Sequence, residues 1–477
     1  MVGLAALAAA MGCLVTLSSG QVTVDAGTTL QPIDGFGFSQ AFGRAKEFQN
    51  APQALQKQAL DLLFNTTSGA GFSIIRNRIG SGGRGDSILP VSPGSPTGQP
   101  AYVWDGDDGG QVWFTKQAVS YGVEQIYADA WSAPGFMKTS GNEATAGYLC
   151  GTTGHTCASG DWRQAYANLL AQYIKYYAQT GLNVTHVGFL NEPDYSPSYS
   201  QMQISFNAQE AISFIPTLHQ TLQSAGLTTK ITCCDAVGWG STVKYTNALV
   251  PAGMEQYLGL ITSHTYSGDA DSALNTSLSS WVTESGITKA FDTTWYNNGG
   301  PTEGMTWANK IAVGIVNARL SAYLYWEGFE LNQLQSDSHL VDTRDGATAT
   351  PSANFWAFAM WSRYIRPGAM RLATSGTVSG VLTAAVRNTD GSVVLVLTNN
   401  GAAAQSASVS FNGGFVPGAA AAYVTDNTRT FAVTQVAVSG PAVSVSVPAK
   451  GVVTVKLGSA STRTNSTVLY TRGPRHI

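Results

Sequence analysis

The chain has 477 residues, 44% of them hydrophobic and only 12% charged, and a net charge of −3 from 26 basic and 29 acidic side chains. That length allows about two to four domains, or one large barrel with a satellite, and so little charge excludes charge-driven disorder. No strong field exists to steer nucleic acid or an anionic membrane, and a surface of Ser, Thr, Asn, Gln and 52 glycines suits neutral, hydroxyl-rich ligands.

Residues 1–20 form a mostly small and apolar run that reads as a secretory signal, although its start lacks a basic side chain beyond the amino terminus. The expected protein is therefore secreted. Without Cys13, four cysteines remain: Cys150, Cys157, Cys233 and Cys234. An even count in a secreted chain favours disulfides. Cys150 and Cys157 flank a short Gly/Thr-rich loop, while a bridge between the neighbours Cys233 and Cys234 is strained, so three pairings stay open. Asn65, Asn183, Asn275 and Asn465 begin Asn-x-Ser/Thr sequons and are glycan candidates.

From about residue 30 to 365, apolar strand-like runs alternate with segments of helical period. The eight strand candidates are Gly35–Ser39, Phe72–Ile79, Gln125–Ala130, His186–Leu190, Lys230–Asp235, Leu258–His264, Ser280–Thr283 and Ala322–Trp326. Helical period shows in Pro52–Phe64, Trp162–Thr180, Met202–Ala225 and Thr306–Arg319. This alternation predicts an α/β fold, a parallel (β/α)8 barrel spanning 34–368. After about residue 369 the helical periods vanish. Short Val/Ala/Ser/Thr runs predict an antiparallel β-sandwich side domain to residue 458. Gln21–Leu30 has the same texture, so 21–33 is expected to add a strand to that sandwich. Residues 459–477 are polar and aperiodic and read as a disordered tail.

Catalytic groups in such a barrel sit at the C-terminal ends of strands. HVGFLNEPD puts Asn191 and Glu192 just after the fourth strand, and SSWVTESG puts Glu284 at the end of the seventh. Two carboxylates facing one cavity are what glycosidic cleavage needs. These residues carry a resemblance. Asn191-Glu192-Pro193 with Glu284 resembles the large clan of retaining glycosidases built on this barrel. DGFGFSQAF (34–42), NEPDYSP (191–197), WVTESG (281–286) and the sandwich resemble glycoside hydrolase family 30. The GFGFSQAFGRA opening and the SAPGFMKTSG loop are most similar to its fungal xylanase subfamily, subfamily 7.

The resemblance implies Glu192 as acid/base and Glu284 as nucleophile in a retaining xylanase. Around them, Arg78 and Tyr266 are candidate donors to Glu284, Asn191 faces the sugar 2-hydroxyl, and His264 orients Glu284 or a ring hydroxyl. Trp131, Trp326, Tyr266, Trp295 and Tyr195 are candidate sugar platforms. Glu327 reads as a third carboxylate near the mouth. Arg44 has two readings: a partner for glucuronic acid branches of xylan, or an internal ion pair with a residue such as Glu47. The expected partner is xylan or another plant cell-wall polysaccharide. The alternatives are a β-1,6-glucan or β-1,6-galactan substrate, or a non-catalytic polysaccharide binder. No cofactor, metal, nucleic acid or membrane partner is expected, and the chain reads as a monomer.

Overall fold

The computed structural model describes residues 19–83, 85–331 and 338–460. The expected leader up to residue 18, the tail from 461 and Asn465 lie outside the described residues. No helix among the described residues is long and apolar enough to cross a membrane.

Eight parallel strands close into a barrel: Gly35–Ser39, Ile74–Ile79, Gln125–Ala130, His186–Gly188, Lys230–Ala236, Leu258–His264, Ser279–Glu284 and Ala322–Glu330. The eighth pairs with both the seventh and the first, which completes the ring. The runs read as continuously apolar because both faces are covered. Ile74, Tyr127, Leu260, Trp281, Ala322 and Leu324 fill the floor of the barrel interior. Two residues further along the same strands, and so on the same face, Arg76, Asp129, Thr262 and Thr283 form a buried polar layer. Gly188 makes room for this layer, since a Cβ there would stand 1.9 Å from Asp129 Oδ1 and 2.4 Å from the Tyr127 hydroxyl.

The strand–helix alternation has one gap. Helices follow seven of the strands, but 265–278, between the sixth and seventh, contains no helix. The eighth strand also runs on past Trp326 to Glu330 and pairs in parallel with the short strand His339–Asp342.

Ten strands at the C-terminal side form a second sheet, and Ser19–Ile33 is one of them. This N-terminal strand pairs antiparallel with Ala369–Thr377 but parallel with Gln405–Asn412. The sandwich is therefore not wholly antiparallel, because a strand arriving from the far end of the chain is free of hairpin constraints. Alternation decides which core each side chain joins. In VVLVLTN, Val393, Leu395 and Leu397 enter the sandwich's own core. Val394 and Val396 join the core of the barrel helices. Fully burying such a side chain contributes about 1.5–3 kcal/mol over leaving it exposed.

The disulfides are Cys150–Cys157 and, on the fifth barrel strand, the adjacent pair Cys233–Cys234. Of the described sequons, Asn183 and Asn275 are exposed. Asn65 is half-buried, and its Oδ1 accepts from the Thr67 and Ser68 amides.

Candidate active site

A cavity of about 770 Å³ opens at the C-terminal end of the barrel, and Glu192 and Glu284 both line it. One carboxylate oxygen of each, and one ring nitrogen of His264, all lie within 4.8 Å of one another. Two backbone features aim these side chains. Glu192 has φ 46°, in the left-handed region, and its amide donates to the Asp235 carbonyl at 2.8 Å. An irregularity in the register of the sixth and seventh strands pairs His264 with Glu284. Alternation from Trp281 and Thr283 would turn Glu284 outward, and this bulge turns it into the cavity.

Four groups surround Glu284. Arg76 pairs with its Oε1, and the Tyr266 hydroxyl donates to Oε2 at 3.0 Å. His264 Nδ1 is 3.5 Å from Oε2 and 3.0 Å from Glu192 Oε1. Burial raises the Glu284 carboxyl above its ordinary range; His264 and Arg76 oppose the rise, Glu192 adds to it and the Tyr266 hydrogen bond opposes it. Burial alone would lower the His264 imidazole. The charges and hydrogen bonds of Glu284, Asp235 and Glu192 outweigh it and push the ring up to about 10. His264 is thus an imidazolium near neutral pH. Glu192, His264 and Glu284 could by position hold a metal ion.

A buried network supports this set. Arg76 Nη2 donates to Asp129 Oδ2 at 2.7 Å and to Asn191 Oδ1 at 2.6 Å. Asp235 accepts from the Tyr127 hydroxyl at 2.6 Å, from Thr262 at 2.7 Å and from Thr283. Burial pushes the Asp129 carboxyl well up, with the Asp235 charge adding and Arg76 opposing. Burial would also raise Asp235, but His264 and Arg76 hold it below its ordinary value.

The structure brings Asn191, Trp131, Tyr195, Tyr266, Trp326 and Arg44 to the same cavity as the glutamates. It alters four of the expectations. The donor to Glu284 is Arg76, not Arg78, which pairs with Asp86 and donates to Ser200 at 2.8 Å. Both arginines sit on one face of the second strand, and Arg78 stands one layer too near the rim. Trp295 is no platform, because it is 7% exposed and its Nε1 donates to the Lys450 carbonyl of the sandwich at 2.7 Å. Trp131 lines the cavity yet is 1% exposed, with the Arg76 guanidinium 4.4 Å over its ring. Arg44 pairs with the buried Glu327 rather than with Glu47.

Sequence reasoning missed Arg76, Asp129, Asp235, Phe42 and Tyr199. The signal for the first three was a charge inside an otherwise apolar strand, as in IIRNRI, QIYADA and KITCCDA. Phe42 and Tyr199 line the cavity from loops and carry no such mark.

Residues 19–294 match the model of O-glycosyl hydrolase family 30, and residues 368–455 match the glycosyl hydrolase family 30 beta sandwich domain. Among solved structures, the catalytic domain of a GH30 xylanase C from Talaromyces cellulolyticus is 49% identical, with a TM-score of 0.88. The match covers 92% of this chain and 100% of that one. A GH30 subfamily 8 xylanase from Clostridium acetobutylicum, 22% identical over 92% of this chain and 100% of its own, shares the fold with a TM-score of 0.68. An endo-1,6-beta-D-glucanase from Aspergillus fumigatus is 26% identical over 430 residues, 80% of this chain and 82% of that protein. A closed barrel with a sandwich beside it, both glutamates in one cavity and both family matches lead to one conclusion: the chain belongs to glycoside hydrolase family 30 and is a glycoside hydrolase.

Proposed function

We propose that this glycoside hydrolase is a retaining xylanase, with Glu192 as acid/base and Glu284 as nucleophile. The observation that carries the reading is the pair itself: two buried carboxylates from distant stretches of the chain share one cavity at the short range that direct attack requires. In the first step a Glu284 oxygen bonds to the anomeric carbon, the glycosidic C–O bond breaks, and the Glu192 proton passes to the leaving oxygen. In the second, Glu192 takes a proton from water, the hydroxide oxygen bonds to the anomeric carbon, and the Glu284 ester is released.

The surroundings support this division of labour. Glu284 faces the Arg76 and His264 cations and the Tyr266 hydroxyl, all of which favour its anion. Asn191 accepts from Arg76 through Oδ1, and its Nδ2 donates to no described residue. That amide is free to donate to a sugar hydroxyl. Trp326 and Tyr195 offer partly open rings.

Xylan as substrate is supported by the 49% identity to the Talaromyces xylanase, against 26% to the Aspergillus β-1,6-glucanase. The second reading is that glucanase activity, which the curated relatives favour. Hydrolysis of purified xylan, pustulan and arabinogalactan separates the two. Cleavage of xylan alone is expected, and cleavage of pustulan alone contradicts the reading. Glu284→Gln should lose turnover while still binding xylan, and Glu192→Gln should lose about 10²–10⁴-fold in kcat.

Arg44 adds a finer expectation. Burial pushes the Glu327 carboxyl well up, against the opposing Arg44 charge. Arg44 stands at the cavity wall beside Glu327, where a glucuronic acid branch would meet its guanidinium. Arg44→Ala should then slow glucuronoxylan cleavage far more than cleavage of linear xylan. Equal losses on both would remove the branch from the account.

A further inference from the structure

A second hollow, of about 640 Å³, lies beside the cavity, and Phe42 lines both. The walls of the hollow come from the loops after the first and second barrel strands and from the segment leading into helix Gln111–Ser120. It therefore opens on the same end of the barrel as the carboxylate pair, where such enzymes build their substrate contacts.

Phe42 is the partition. Its backbone is left-handed, at φ 61°, a conformation that is strained for a non-glycine residue. Its ring meets Trp131 at 5.6 Å and Trp326 at 6.0 Å between centroids, and the Arg78 guanidinium sits 4.8 Å from it. Strain of this kind persists where the surroundings hold the side chain in place.

The chemistry of the hollow suits a neutral sugar. Trp104 stacks on Tyr176 with centroids 5.0 Å apart and planes 7° from parallel, and its Nε1 donates to no described residue. Val103, 51% exposed, and Ile88 add apolar surface. Asp105 uses Oδ1 to accept from the Asp107 and Asp108 amides, each at 2.9 Å, and Oδ2 is left for an outside hydroxyl. Arg78 is the one cation among the described lining residues, and Asp86 already pairs with it. A ring, a donor and carboxylate acceptors, with no unpaired cation among the described lining residues, favour a neutral hydroxylated unit over an acidic one.

We infer that this hollow is a further sugar subsite that holds an undecorated neutral unit of the substrate chain, past Phe42 from the cleavage point. The inference rests on reading the cavity as the polysaccharide-cutting site.

The test is the dependence of kcat/KM on chain length, measured on linear xylo-oligosaccharides and on β-1,6-gluco-oligosaccharides. Val103→Trp fills the hollow without removing a contact, and Trp104→Ala removes its ring. Both variants should lose about two- to tenfold on the hexaose of whichever series the parent cuts, with the triose little changed, as one lost stacking contact implies. Variants that keep the parental length dependence overturn the subsite alone. A parent that cuts neither series overturns the proposed function and the subsite with it.

Discussion

Arg76 and Arg78 differ by two positions on one strand and by their whole environment. Arg76 is fully buried and divides its guanidinium among Glu284, Asp129 and Asn191. A flexible ammonium cannot make that planar fork. Arg76→Lys should therefore cut kcat by about 10²–10³-fold, as loss of a preorganised transition-state contact does. Arg78→Lys should cost clearly less, and steady-state kinetics of the two variants checks the assignment. His264 makes a pH prediction. Its folded-state pKa of about 10 stands above the ordinary 6.5. The folded protein binds the extra proton, so this stabilisation is complete below pH 6.5 and fades as pH rises through about 10. Thermal midpoints of the parent should fall over that window. His264→Asn should start lower and lose that part of the decline.

Between elements, one lysine ties two loops to the backbone of Glu192. Lys138 is 3% exposed, and its Nζ donates to the Asn142, Glu143 and Thr145 carbonyls at 2.8–3.1 Å and to the Gln201 carbonyl. Gln201 Nε2 in turn donates to the Glu192 carbonyl at 2.7 Å and the Tyr195 carbonyl at 2.5 Å. Lys138→Met strips partners from buried carbonyls, each loss costing about 1–3 kcal/mol. It should lower the denaturation midpoint and reduce kcat more than it raises KM. The barrel, the sandwich and the Glu192–Glu284 pair were legible in the sequence, because strand parity, helical period and flanking Pro193 and Gly286 are local signals. Three features were not. The helix-free link at 265–278 was masked by the regularity of its neighbours. The inward turn of Glu284 depends on a bulge defined by the partner strand. Trp295 looks like a cleft aromatic until the sandwich is placed against it.

On the scale of the whole molecule, barrel and sandwich share one core. Ala384, Val386, Val394, Val396 and Val452 pack into the cluster that includes the barrel helices. Polar ties cross the same seam, from Thr454 to the Met360 carbonyl at 2.5 Å and from Arg371 to the Val316 carbonyl at 2.9 Å. A chain ended at residue 368 would expose helix Ala353–Ser362, which is buried at nearly every position. Such a chain should aggregate or lose its near-ultraviolet circular dichroism rather than fold as a free barrel. That joined scaffold carries the chemical act we propose, the attack of Glu284 on an anomeric carbon while Glu192 protonates the departing oxygen. The most direct measurement is peptide mass spectrometry after reaction with an activated 2-deoxy-2-fluoro glycoside of the sugar that the enzyme turns over. A glycosyl adduct on Glu284 is the predicted result. An adduct on another residue, or none in a preparation that the same reagent inactivates, would contradict the account.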